Sequence, residues 1–349
     1  MKVALIQCPA WVTYAPPYGL AVIATCLKNS GHQVQCLDIN ILLFNQLATE
    51  SKDSHIASTW DTDKIDDFWY KKNNVHSIIS KFPEFIDRML NNILMFNPDI
   101  ICFSVQYTSA YFSHEFSKRI KSINANIPII WGGPFCFSSF GKLNELIINM
   151  YEVDVICTGD GEKDIGNIIS EYEKTGRFIE TSGYYIRAKT NTASKLNIGN
   201  AISNINEIPY ANIDCFNKKL YSWKYFPVVI SKGCINRCTF CNEYLACNKY
   251  QFREPKLVIE EIFYQQNLYP EIKTIWLTCS NIIGDIPKLQ ELCNTIINRK
   301  LAISWVSQLS INKNLTQELL SLLKNSGCEQ LIYGLESASN HVLTLMNKG

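Results

Sequence analysis

At 349 residues the chain is long enough for two domains. Apolar residues make up 47% and charged residues 19%, so sizeable cores can be buried and general disorder is excluded. A formal net charge of +1 creates no long-range field for a polyanion, which argues against a nucleic-acid partner.

The first residues, Met1-Lys2-Val3-Ala4-Leu5-Ile6-Gln7-Cys8, hold an apolar run too short for a secretory signal; they read as a strand. No stretch approaches the roughly 18 apolar residues needed to span a bilayer. Fourteen cysteines without a secretory start place the chain in reducing cytoplasm, its thiols free or metal-bound. Cys26, Cys102, Cys157 and Cys293 sit in apolar runs and read as small buried hydrophobes.

Strand and helix signals alternate from the start. Val3–Ile6 is a short apolar strand. Pro16-Pro17 opens a helix with Leu20, Ile23, Ala24 and Leu27 on one face, and Gly31 ends it. Val34–Asp38 is the next strand. Residues 45 to 80 read as an irregular polar insert, with Asp61, Asp63, Asp66 and Asp67 on a solvated helix face above Trp60, Phe68, Trp69 and Tyr70. A cation held by those acids is the alternative. Ile100–Val105 is a third strand. Pro128–Trp131 leads into Gly132-Gly133-Pro134, and Val153–Cys157 leads into Gly159-Asp160-Gly161-Glu162. Tyr184–Arg187 looks like an edge strand. Continuous apolar strands between amphipathic helices predict an α/β fold, a doubly wound parallel sheet covered on both faces. Such sheets bind ligands at the carboxyl ends of their strands, where Ser104, Gly132, Gly133, Gly159 and Gly161 gather. Small residues there let a large flat cofactor approach the backbone.

Asn191 to Asn206 is rich in Asn, Ser and Thr, which suggests a Rossmann-like domain over 1–190, a linker over 191–225 and a second domain over 226–349. A second alternation begins with the strand Val228–Ser231. Helix Leu257–Leu268, strand Lys273–Leu277, a helix carrying Leu289, Leu292, Ile296 and Ile297, and strand Ala302–Val306 follow. Thr316 caps a further helix that Gly327 ends, and Leu331–Ser337 is the last strand. About four β/α units describe a partial barrel, whose chemistry belongs on the carboxyl face.

Directly after the first of these strands comes Gly233-Cys234-Ile235-Asn236-Arg237-Cys238-Thr239-Phe240-Cys241. A C-x-x-x-C-x-x-C loop supplies three thiolates where a four-iron cluster has four irons to ligate, leaving one iron open. An open position separates a reactive metal site from a closed structural one. The alternative is a zinc knot with Cys247 as fourth ligand, although zinc sites usually pair two cysteine hooks across a longer loop.

This loop resembles the signature of the radical S-adenosylmethionine (SAM) enzymes. The resemblance implies a [4Fe-4S] cluster on Cys234, Cys238 and Cys241, whose open iron binds SAM and whose electron releases a 5'-deoxyadenosyl radical. Phe240 matches the aromatic residue beside the adenine. The segment Gly334–Ser339 followed by Leu345–Gly349 resembles the family's fourth-strand SAM motif, with Glu336 and Ser337 reaching the SAM ribose or methionine end. After the second strand relatives often carry acids before an Asn; here Thr278-Cys279-Ser280-Asn281 keeps only Asn281. Ser307 and Gln308 would line the pocket after the third strand.

The first half resembles the cobalamin-binding domain that precedes many radical SAM cores, through Pro17-Tyr18-Gly19-Leu20, Gly31-His32-x-Val34, Pro98-Asp99-Ile100-Ile101, Gly132-Gly133-Pro134 and Gly159-Asp160-Gly161-Glu162. Cobalamin contacts are implied for Ser104, Gly132, Gly133, Gly159, Gly161 and Glu162. Methionine-synthase-like members carry Asp-x-His-x-x-Gly after the first strand. Here Cys8–Tyr14 has no histidine, and the near match at Asp53-Ser54-His55 lies in the wrong loop, so no protein histidine is expected below cobalt. His32 closes a helix and reads as structural.

The resemblance implies methyl transfer from methylcobalamin to an unactivated carbon of a small molecule or peptide, with an electron donor such as flavodoxin or ferredoxin. The alternatives are a radical SAM cyclase, oxidase or methylthiotransferase, and a non-enzymatic cobalamin- or metal-binding module. The family barrel usually has six units, so a chain stopping after four reads as a fragment.

Overall fold

The computed structural model describes residues 1–49, 54–136, 150–179, 183–186, 204–241, 243, 247, 249–311 and 314–348. Arg187, the first part of the proposed linker (191–203) and Asp53 lie outside the described residues. The chain divides into one unit of Met1–Ile202 with Pro209–Ser222 and another of Ser203–Ile208 with Trp223–Gly349.

The first unit is built on strands β1 (Lys2–Gln7), β2 (Gln33–Asp38), β3 (Ile100–Ser104), β4 (Ile129–Gly132), β5 (Val155–Cys157) and β6 (Tyr184–Ile186). Their order in the sheet is β2-β1-β3-β4-β5-β6. The first five run parallel, and β6 closes the edge antiparallel to β5. Val3, Leu5 and Ile6 of β1 and Ile100 and Ile101 of β3 are fully buried, because helices cover both faces. The order reverses between β1 and β3, the switch point at which open α/β sheets leave a crevice. Helix α1 (Tyr18–Asn29) ends where Gly31 takes a φ of 85° and His32 N–H bonds back to Leu27 O at 3.0 Å.

Residues 45–80, expected to be irregular, are mostly helical. They hold the end of α2 (Ile39–Thr49), the short α3 (Ser54–Ala57) and α4 (Ile65–Trp69), and α5 (Lys72–Lys81); α6 (Pro83–Met95) follows. Aromatic packing organises these short helices. Trp60 meets Trp69 edge-on at 4.7 Å between centroids and donates its indole N–H to Asn40 Oδ1 at 2.7 Å. The acids above are solvated as expected: Asp61 pairs with Lys64 and Asp67 with Lys71. Helices α7 (Ala110–Ile123) and α8 (Gly161–Thr175) complete the crossovers. The segment from Pro209 packs on this unit: Ile213 is fully buried, and Tyr221 donates its hydroxyl to Asp38 Oδ2 at 2.9 Å.

The second unit carries a four-stranded parallel sheet in the order β12-β11-β10-β7, made of β7 (Phe226–Val229), β10 (Thr274–Thr278), β11 (Ser304–Leu309) and β12 (Cys328–Tyr333). The intervening helices are α9 (Pro255–Leu268), α10 (Ile286–Asn298) and α11 (Gln317–Asn325), the last capped by Thr316 Oγ1 accepting from Leu319 N–H. A short antiparallel pair, β8 (Ser231–Lys232) with β9 (Gln251–Phe252), was not expected. The last strand is displaced toward the N-terminus of its expected span of 331–337. It stops at Tyr333, and Glu336 adopts a left-handed φ of 57°, which ends extension. Helix α12 (Asn340–Leu345) follows. Arg253 and Glu261 form an ion pair inside this unit, each almost fully buried, and Arg253 also donates to Ile208 O at 3.2 Å. Among the described residues no helix is long and apolar enough to cross a membrane.

Candidate functional site

The cysteine loop leaves β8 at Gly233, whose φ is 77°. A side chain there would place its Cβ 2.8 Å from Lys249 O, so only glycine fits the turn. Cys238 is buried, while Cys234 and Cys241 are half-buried. Asn236 N–H donates to Cys234 Sγ at 3.4 Å, and Cys241 N–H to Cys238 O at 3.1 Å. Burial pushes the Cys234 thiol up. The Asn236 N–H opposes this, and nearby Cys241 and Cys238 push it further. Three thiolates this close repel one another unless metal neutralises them, which couples ligand ionisation to metal binding.

The far side of the loop rests on the end of α12. Thr239 N–H donates to Met346 O at 2.9 Å, and Asn347 Nδ2 to Arg237 O at 2.8 Å. Phe240 is exposed, with Lys348 Nζ 5.8 Å from its ring centroid. Lys348 Nζ also lies 2.9 Å from Glu336 Oε1. These residues after α12 hold the loop directly, a role that pairing motifs along the sequence did not assign to them.

The strand-end residues divide into two groups. Gln308, Glu336 and Ser337 keep some exposure, although Gln308 Nε2 donates to Cys279 O at 2.8 Å and Ser337 Oγ accepts from Ser339 N–H at 3.1 Å. Asn281 and Ser307 are buried. Ser307 donates its hydroxyl to Leu277 O at 2.7 Å, across to β10. Asn281 Oδ1 accepts from Ser310 N–H at 3.3 Å, and Asn281 Nδ2 donates to Ser310 Oγ at 2.9 Å. Both amide atoms of Asn281 are therefore engaged within the protein. Ser310, which the sequence reading passed over, also meets Asn236 of the cysteine loop at 3.1 Å.

In the first unit a cavity of about 330 Å³ opens beyond the carboxyl ends of β3, β4 and β5. Ser104, Gly132, Gly133, Gly159, Gly161 and Glu162 all line it. Leu20 and Ile23 of α1 and Tyr184 of β6 add walls that the strand-end pattern did not identify. Gly133 has a φ of 98°, and a Cβ there would meet Val105 O at 2.9 Å; at Gly161 it would meet Ile23 Cδ1 at 3.2 Å. Backbone thus forms the wall where side chains would fill the space. Tyr184 donates its hydroxyl to Gly161 O at 3.3 Å, and burial pushes the Cys157 thiol up to about 11, making it a neutral wall. The loop Cys8–Tyr14 is fastened to α2 instead: Trp11 N–H donates to Asn40 Oδ1 at 2.9 Å, and Asn40 Nδ2 to Val12 O at 3.2 Å. His55 is exposed on α3. His32 is buried between Ser170, at 3.2 Å, and the chain's amino group, at 3.4 Å.

Among the described residues, no three His, Cys, Asp or Glu side chains converge to hold a single metal ion. A cluster asks for something else, since its three thiolates bind separate irons around a larger body. The donor set of three soft thiols, presented on one glycine-started loop, fits such a cluster. Residues 228–349 match the family described as the Radical SAM superfamily. The second unit therefore carries a radical SAM domain. In this radical SAM domain the matched stretch begins within β7 and includes the cysteine loop and the ends of β10, β11 and β12.

Relatives extend the likeness into the first unit. An uncharacterised methyltransferase of Pyrococcus horikoshii is 25% identical over 264 residues, covering 74% of this chain and 56% of its own length. The anaerobic magnesium-protoporphyrin IX monomethyl ester cyclase of Rubrivivax gelatinosus is 24% identical, covering 75% of this chain and 48% of its own. The chain spans about half the length of these curated relatives. In fold, the chain matches the cobalamin-dependent S-adenosylmethionine radical enzyme OxsB, with a TM-score of 0.70 and 18% identity over 100% of this chain and 46% of that one.

Proposed function

We propose that this chain holds the cofactors of a cobalamin-dependent radical SAM methyltransferase. The observation that carries the reading is the three-thiol loop set beyond the first strand of a parallel sheet, a donor set that leaves one iron of a cluster open. When bound, the cluster would supply the electron that cleaves SAM to a 5'-deoxyadenosyl radical able to take a hydrogen atom from a substrate carbon, and cobalamin would supply the methyl group for that carbon.

Cys234, Cys238 and Cys241 hold the cluster, and Gly233 lets the loop turn into place. Phe240 offers an exposed ring to the adenine. Gln308, Glu336 and Ser337 are the polar groups with some exposure that would orient SAM, while Asn281 and Ser307 are buried. In the first unit, Ser104, Gly132, Gly133, Gly159, Gly161 and Glu162 line space for part of a large flat cofactor and its nucleotide tail. The cavity has the size of a small-molecule pocket, smaller than a whole cobalamin. No histidine lies in the Cys8–Tyr14 loop, so that loop would offer cobalt no imidazole ligand. The protein's work is orientation and the exclusion of water. The substrate class is a small molecule or peptide with an unactivated carbon, and the reductant a flavodoxin or ferredoxin, in a reducing cytoplasm.

A second reading keeps the radical step without methyl transfer, and the likeness to a cyclase at 24% identity favours weighing it. The test is anaerobic reconstitution with iron, sulfide, cobalamin and SAM, followed by product analysis. Adenosylhomocysteine formed alongside 5'-deoxyadenosine supports the methyltransferase. Deoxyadenosine alone supports the second reading, and neither product refutes both.

A further inference from the structure

We infer that Ser310 and Asn281 are positioning residues that lock the first half of the cysteine loop to the ends of β10 and β11 through Asn236; this rests on the cluster-binding reading above. The loop from Cys234 to Cys241 has little regular secondary structure of its own. Its second half is held at Thr239 by Met346 O, and Asn347 holds Arg237 O at the middle of the loop. Its first half is held by Asn236, which lies between Cys234 and Cys238 and whose Nδ2 reaches Ser310 Oγ at 3.1 Å.

The orientation of the tie follows from donor and acceptor chemistry. A backbone N–H only donates, so Ser310 N–H fixes Asn281 Oδ1 as its acceptor at 3.3 Å. Asn281 Nδ2 must then face Ser310 Oγ, where it sits at 2.9 Å. Asn281 and Ser310 thus close a reciprocal ring, and the second acceptor site of Oγ is left for Asn236. Asn281 is 1% exposed and Ser310 is 6% exposed. Hydrogen bonds shielded from water in this way are costly to leave half-made, so the tie selects one loop geometry. Tyr250 adds to the bracing by donating its hydroxyl to Asn281 O at 3.2 Å. Supports of this kind decide whether ligands stand ready for a metal group or must be ordered by it.

The experiment compares Asn236→Ala, Ser310→Ala, their double variant, and Ser304→Ala. Ser304 makes the same kind of hydroxyl bond between the same two strands, to Thr274 at 2.9 Å, but at their opposite ends. In cluster-free protein, alkylation of Cys234 and Cys238 by iodoacetamide, mapped by mass spectrometry, should be about tenfold faster in Asn236→Ala and in Ser310→Ala. The double variant should be no faster than either single one, because both cut the same tie. Ser304→Ala should react at the wild-type rate even where its melting temperature falls. In reconstituted protein, the loop variants should lose iron to a ferrous chelator about tenfold faster. Wild-type rates in the loop variants, effects that multiply in the double variant, or an equal effect from Ser304→Ala would overturn the inference. Wild-type protein that takes up no iron would refute the cluster reading, while the alkylation rates would still decide the tie.

Discussion

The two units present their groups beyond the carboxyl ends of parallel strands, but they shape that space by opposite means. In the first unit the wall is made by what is missing. Gly132, Gly133 and Gly161 withhold side chains, and the rest of the lining is largely apolar. In the second unit the site is made by what is tied down. The cysteine loop has little regular structure, and Asn236, Ser310, Asn281 and Asn347 fix it with side-chain hydrogen bonds. The contrast follows from the ligands proposed. A bulky rigid cofactor needs room and is recognised by shape. A cluster needs donors held at set positions, and loose donors weaken it. Added bulk should therefore damage the first unit's site, and deleted polar or thiol groups the second's.

The largest effect expected is from Cys238→Ala, which should reduce iron and sulfide in the reconstituted protein to background and abolish 5'-deoxyadenosine formation; retained SAM cleavage would break the second half of the comparison. Next is Gly132→Leu. Its Cβ would meet only Cys157 Cβ, at an ordinary 3.5 Å, so the remaining atoms enter the cavity. Cobalamin binding followed by absorbance should weaken about tenfold to a hundredfold, with the cluster unaffected. Unchanged cobalamin affinity would mean that the glycine-lined space is not the cofactor's.

A smaller effect sharpens the comparison, because the first unit does contain a buried polar tie, placed away from its cavity lining. Burial raises the Asp38 carboxyl from 3.8 to about 7, against the opposing hydrogen bonds from Ile41 N–H and the Tyr221 hydroxyl. The folded state therefore holds a proton that the unfolded state has released between those values. Stability from this group is full below about pH 4 and is lost as pH rises to about 7, a change on the order of a few kcal/mol. Asp38→Asn should flatten that slope in urea titrations at pH 5 and pH 8, and an unaltered slope would contradict it. The smallest effect is expected at the solvated acids. Asp61→Asn and Asp67→Asn should each shift stability by less than about 0.5 kcal/mol, since exposed pairs with Lys64 and Lys71 contribute little.

Much of the first sheet was legible because β1 and β3 are apolar on both faces, which few other structures allow. The glycines after β4 and β5 pointed to the cavity for a similarly local reason. Helix α6 was missed although Phe85, Ile86, Met89, Leu90 and Ile93 carry its buried stripe, because polar residues before it masked the period. Between the short helices of 45–80, Trp60 and Trp69 pack edge-on, a contact between separate elements that helical periodicity does not show. β12 stops short of its expected end, and the left-handed Glu336 beyond it has a conformation that no propensity announces. In the second site the cysteine spacing was plain, whereas Ser310 was invisible. Its partners stand 74 and 29 residues away, and it belongs to no recognisable pattern. The segment ending at Tyr221 read as linker for the same reason, since its anchor Asp38 is 183 residues distant.

The central claim is that three thiolates on one loop hold a four-iron cluster with an open corner. Metal and sulfide analysis of the chain, reconstituted without oxygen, tests it most directly. The account predicts about four irons and four sulfides per chain, with a reduced-state electron paramagnetic resonance signal that changes when SAM is added. A single zinc per chain, or a signal indifferent to SAM, would contradict it.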